Sequence, residues 1–90
     1  MTKNMYCIFD NVSKLYEPPF IEVNNGTAQR RLMDLMQQNP NSPYAKFPDN
    51  YTLINLGEWD DETGIPTFDK HTTVAELVAI KLPIDMIKEN

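Results

Sequence analysis

The run Tyr51-Thr-Leu-Ile-Asn-Leu-Gly-Glu-Trp59 is apolar on both sides of an extended chain. Tyr51, Leu53 and Trp59 fall on one side, Ile54 and Leu56 on the other. A strand of that pattern has no face for water, so it belongs at the centre of a sheet with cover on both faces. That is a heavy demand on 90 residues, since a domain of this size buries only about 60–65% of its unfolded surface. A deep catalytic cleft is therefore not expected. A second copy of the chain is one source of the second cover, and the C-terminal residues are another.

The elements around this strand follow from local signals. Met5-Tyr-Cys-Ile-Phe9 is rich in strand-forming types. Asp10-Asn-Val-Ser-Lys14 reads as a turn, and Leu15-Tyr16 with Phe20-Ile-Glu-Val23 as the returning strand. Pro18-Pro19 interrupts that return and places it at an edge or a bend. Ala28, Leu32, Leu35 and Met36 share one helical face, which predicts a helix from about Ala28 to Gln38. Thr27, Asn25 and Asn24 are alternative N-caps, and the prolines in Asn39-Pro-Asn-Ser-Pro43 end the helix. Tyr44 to Asn50 reads as a loop. Asp60-Asp-Glu-Thr-Gly64 reads as a hairpin turn, with Gly64 free to take a positive φ. Ile65 to Phe68 returns as an edge strand because Pro66 lacks a ladder donor. Thr72 or Thr73 caps a short helix to about Ile80, with Thr73 and Glu76 at capping-box spacing.

The fold expected is α+β: a small antiparallel sheet from two β-hairpins, one main helix packed on it and a short C-terminal helix. It occupies residues 1–80. Residues 81–90 form a tail whose Leu82, Ile84, Met86 and Ile87 are too apolar for full solvation, and so pack on the domain or meet a partner.

Chemistry is sparse. Cys7 and His71 are the sole thiol and imidazole. Nothing in their positions places them within hydrogen-bond reach, as a nucleophile–base pair requires. Cys7 reads as a buried strand residue and His71 as a solvated loop residue. One cysteine forbids an intrachain disulfide and fits a reducing compartment. The Asp60-Asp61-Glu62 run lacks the alternating ligands of a calcium loop and reads as a solvated turn. No glycine-rich phosphate motif occurs. No catalytic residue, metal or cofactor is expected, and no apolar run approaches the roughly 18–20 residues of a membrane span.

The formal charge of −5 argues against indiscriminate coating of DNA, whose affinity rests on phosphate neutralisation. The excess is regional, however. Residues 1–50 hold five basic and five acidic side chains, and residues 51–90 hold three and eight. Lys14, Arg30, Arg31 and Lys46 lie in the neutral half among Tyr6, Tyr16, Tyr44 and Phe47. Cations with aromatic rings are the means by which proteins hold single-stranded nucleic acid. Lys14, Arg30, Arg31, Lys46, Tyr16 and Tyr44 are therefore the candidate nucleic-acid contacts. The plain alternative is that the arginines form the wet face of an amphipathic helix and the tyrosines belong to the sheet. If the candidates do bind DNA, they should gather on one face with the acidic turn facing away.

Several stretches also carry a family resemblance: Tyr6-Cys-Ile-Phe-Asp10, Pro19-Phe20, Ala28-Gln-Arg-Arg-Leu32, Ser42-Pro-Tyr-Ala-Lys-Phe-Pro-Asp49, Tyr51-Thr-Leu53 and Leu56-Gly-Glu-Trp-Asp-Asp-Glu-Thr-Gly64. In this order, over about residues 5–68, the chain resembles the small nonstructural protein of gokushoviruses, microviruses with circular single-stranded DNA genomes. The resemblance implies a non-virion protein in the cytoplasm of the infected bacterium. It implies a role in single-stranded DNA synthesis or packaging, through DNA or through a viral or host replication or packaging protein. Arg31 and Lys46 stand in the matching motifs; Lys14 and Arg30 are candidates by charge alone.

Overall fold

A computed structural model of the chain describes residues 1–81. Its spine is a pair of long antiparallel strands, β1 (Thr2–Asp10) and β4 (Tyr51–Asp60), running from the pair Thr2–Asp60 to the pair Asp10–Tyr51. Short strands flank the spine. β2 (Leu15–Tyr16) and β3 (Phe20–Glu22) pair with opposite ends of β1, so Pro18-Pro19 divides the returning strand in two. β5 (Pro66–Thr67) and β6 (Thr72–Glu76) pair with β4 in the same divided way. All pairings are antiparallel, and β4 is central as its doubly apolar pattern requires.

Helix α1 (Asn25–Gln38) crosses one face of the sheet. Asn24 is its N-cap: the side chain accepts from the Thr27 amide at 2.9 Å, and Thr27 Oγ1 accepts from the Asn24 amide at 3.1 Å. This reciprocal pair satisfies two donors that the first turn would otherwise leave open. Ala28, Leu32 and Met36 are buried against Tyr6, Ile8 and Leu53. Leu77 and Ile80, from a helical turn over 77–81, enter the same core. Lys81 Nζ donates to the Ala45 carbonyl at 2.6 Å. The tail expected at 81–90 otherwise lies outside the described residues.

Three expectations need correction. Tyr44–Asn50 is not a loop: Ser42 caps a short helix, α2 (Pro43–Lys46), and a 3₁₀ turn follows over Pro48–Asn50. Both are started by prolines whose missing N–H is no loss at a first helical position. Residues 72–76 are strand rather than helix, because β-branched Thr72, Thr73 and Val74 find an open edge of β4. The last helix starts only at residue 77.

The third correction concerns Trp59. The register slips between Met5 and Tyr6, whose partners are Gly57 and Asn55, so Leu56 is an extra residue in β4. Such a bulge reverses the alternation beyond it. Leu53 and Asn55 share the helix-covered face with Tyr6 and Ile8, whereas Trp59 pairs with Lys3 on the outer face, with Met5 and Cys7. Gly57, beside the bulge, has φ of 146°, and a Cβ there would stand 1.9 Å from the Thr67 carbonyl oxygen.

Met5, Cys7 and Ile54, on the outer face, are each no more than 5% exposed within one chain. Segments from the two sheet edges meet over this face. Tyr16 packs on Phe9 with ring centroids 4.6 Å apart, and its hydroxyl lies 3.0 Å from His71 Nε2. The second cover is thus reached without a second copy.

Candidate nucleic-acid interface

The six candidate residues do not gather on one face but divide into four places. Arg31 and Tyr44, distant in sequence, line one groove between α1 and the β2–β3 edge. Ile8, Leu32 and Leu35 give it an apolar floor, and Phe20 a ring. The Arg31 guanidinium lies over that ring, 4.6 Å from its centroid, and pairs with Glu22 at 3.3 Å. The Tyr44 hydroxyl donates to Glu17. Burial, with Glu17 adding to it, pushes the Tyr44 phenol well above its ordinary range. The groove measures about 340 Å³ and carries Asp34 and Gln38 beside Arg31.

Lys14 and Lys46 sit at one end of the spine. Lys14 closes the turn after β1 with φ of 64°, in the left-handed region that non-glycine residues seldom visit. The Asp10 carboxylate accepts from the Val12 and Ser13 amides and holds that turn, and these bonds draw its pKa below the usual carboxylate range. The Asn11 amide donates to the Asn50 carbonyl at 2.8 Å, which joins this turn to the segment after Lys46 and the exposed Phe47. Arg30 projects from the exposed side of α1. Among the described residues, Lys14, Arg30 and Lys46 form no salt bridge.

Tyr16 belongs elsewhere. With Cys7, Glu17, Pro19, Leu56 and His71 it lines a second cleft of about 300 Å³ on the outer face. Cys7 and His71 therefore border one cleft, which their sequence positions gave no reason to expect. Burial pushes the Cys7 thiol up, away from the thiolate that nucleophilic chemistry needs. Among the described residues no three His, Cys, Asp or Glu side chains group as metal ligands. No helix there is long and apolar enough to cross a membrane.

The acidic turn lies at the other end of the spine, about 30 Å from Lys14 by the length of β1. Asp61 pairs there with the Met1 ammonium at 2.7 Å and with Lys3 at 3.8 Å. Three groove residues, Glu17, Asp34 and Gln38, were missed in the sequence. Asp34 and Gln38 stand three and seven places after Arg31 on one helical stripe, a spacing visible in advance. Glu17 arrives from another element and carries no local signal.

A family model described as Phage ORF5 protein matches residues 3–80. The fold and groove are thus those of a small bacteriophage protein. The chain belongs to the Phage ORF5 family. No curated protein and no solved structure matches it.

Proposed function

We propose that this is a non-virion accessory protein of a gokushovirus-like phage. In the cytoplasm of the infected bacterium it binds single-stranded DNA during viral strand synthesis or packaging. The observation that carries this reading is the Arg31–Phe20–Tyr44 groove, with Arg30 exposed on the same helix and Arg30, Lys14 and Lys46 without a salt bridge among the described residues. The spine holds the acidic turn at the far end from Lys14, so the charge excess does not oppose a strand at this end. The contact is local and weak, as few phosphates are met. A gel shift or anisotropy titration with single-stranded oligonucleotides at low and moderate salt tests it. Replacing Lys14, Arg30 and Lys46 together by Gln should lower the slope of log affinity against log salt by about 2. No binding at low salt overturns the reading.

A second reading, an adaptor for a viral or host replication or packaging protein, is favoured by exposed apolar side chains at the same end: Val12 is 71%, Leu15 67% and Phe47 54% exposed. A pull-down from infected cells separates the two, with Leu15→Ser and Phe47→Ser, which should release the partner, as the second arm.

A further inference from the structure

We propose that the groove between α1 and the β2–β3 edge takes one guanine base of the bound strand; this rests on the DNA reading above. At about 340 Å³ the groove has room for a base and part of its sugar. Its floor is apolar and its aromatic walls are Phe20 and Tyr44, which suits a flat ring system. The guanidinium of Arg31 already lies on the Phe20 ring, which leaves its second face open for stacking.

The polar groups select the base. Asp34 is exposed and has neither a hydrogen bond nor an ion pair among the described residues. Glu17 spends one oxygen on Tyr44 and keeps the other. Carboxylates only accept. Guanine is the one DNA base that offers two adjacent donors, the ring N1–H and the exocyclic amino group. Thymine sets its single N–H between two carbonyls, which a carboxylate repels. Adenine and cytosine each place a ring acceptor beside the amino group. The amide donor of Gln38 complements the acceptors on the guanine O6 and N7 edge. The same carboxylates exclude phosphate from the groove, so the flanking backbone falls to Arg30, adjacent in sequence and free of salt bridges among the described residues.

Two measurements test this. Deoxyguanosine and deoxyadenosine are titrated separately into isotope-labelled protein, with the amide shifts of Arg31, Asp34 and Gln38 as readout. An oligothymidine of about eight nucleotides is compared by anisotropy with the same strand carrying one central dG. The dG should tighten binding about tenfold. Asp34→Asn should remove that gain, measured against oligothymidine with the same variant, and leave the melting temperature unchanged. Equal responses to the two nucleosides, or a dG gain that survives in Asp34→Asn, overturn the assignment. Deoxyguanosine binding without any strand binding supports the groove and sinks the DNA reading. Oligothymidine binding with no gain from dG does the reverse.

Discussion

Replacing Gly57 by Ala should be the most damaging small change in the protein. Two costs coincide there. The φ of 146° lies in a region that is nearly glycine-only, with a penalty of about 1–3 kcal/mol for other residues. The added Cβ would also meet the Thr67 carbonyl oxygen at 1.9 Å, where ordinary contact begins at 3.4 Å, so β5 must retreat. That retreat breaks the pairs Glu58–Thr67 and Trp59–Pro66 and strains the bond from the Lys70 amide to the Leu56 carbonyl. Lost hydrogen bonds of this kind are worth about 1 kcal/mol each. A total near 3 kcal/mol lowers the melting temperature by about 12–24 °C in a domain of this size. Gly64→Ala is the internal control: φ is 72°, but the nearest atom to its Cβ is a Trp59 ring carbon at 3.8 Å. It should cost only about 1–2 kcal/mol. Thermal melts followed by circular dichroism measure both. A Gly57→Ala protein that melts with or above Gly64→Ala refutes the reasoning, and with it the close approach of β5 to the bulge.

Asn24→Ala should cost about 1 kcal/mol, because it removes the side-chain acceptor of the Thr27 amide while the bond from the residue-24 amide to Thr27 Oγ1 survives; urea midpoints against wild type measure this. Stability should also fall on acidification. Backbone amides lower the pKa of Asp10 and Asp60, and the Met1 ammonium lowers that of Asp61. A lowered folded pKa means that the contribution is complete above the unfolded carboxylate value of about 3.9 and is lost as pH drops through the folded values. Urea melts between neutral pH and strong acid should show this, and Asp61→Asn should flatten the curve. Cys7, 2% exposed, should react with a thiol reagent far more slowly in the native protein than in urea. Equal rates would mean that the outer face opens freely.

How much of this was legible in the sequence depends on the range of the signal. The helix stripe Ala28–Leu32–Met36, the proline breaks and the glycine turn at 64 are local, and each reads correctly from neighbouring residues. The centrality of β4 was legible because apolarity on both faces leaves no other position. The facing of Trp59 was not. A one-residue bulge reverses the alternation, and what marks it is the register against a strand about fifty positions away. Residues 72–76 show the same limit: their capping spacing is real, yet a vacant edge of β4 outweighs it. In the groove, Arg31 and Tyr44 were both singled out, but their meeting depends on how α1 and α2 pack, and Glu17 reaches them from the opposite side.

The pairing of β1 with β4 has a consequence for the order in which the protein is made. The first strand synthesised has its longest partnership with one that begins at residue 51. At about 5–20 residues per second, β1 spends roughly 3–10 seconds on the nascent chain with one edge open. During that time only the short strands β2 and β3 can cover its other edge. Met5-Tyr-Cys-Ile-Phe9, the apolar centre of the finished domain, is then the segment most exposed to wrong partners. A message cut anywhere before β4 would leave it so permanently.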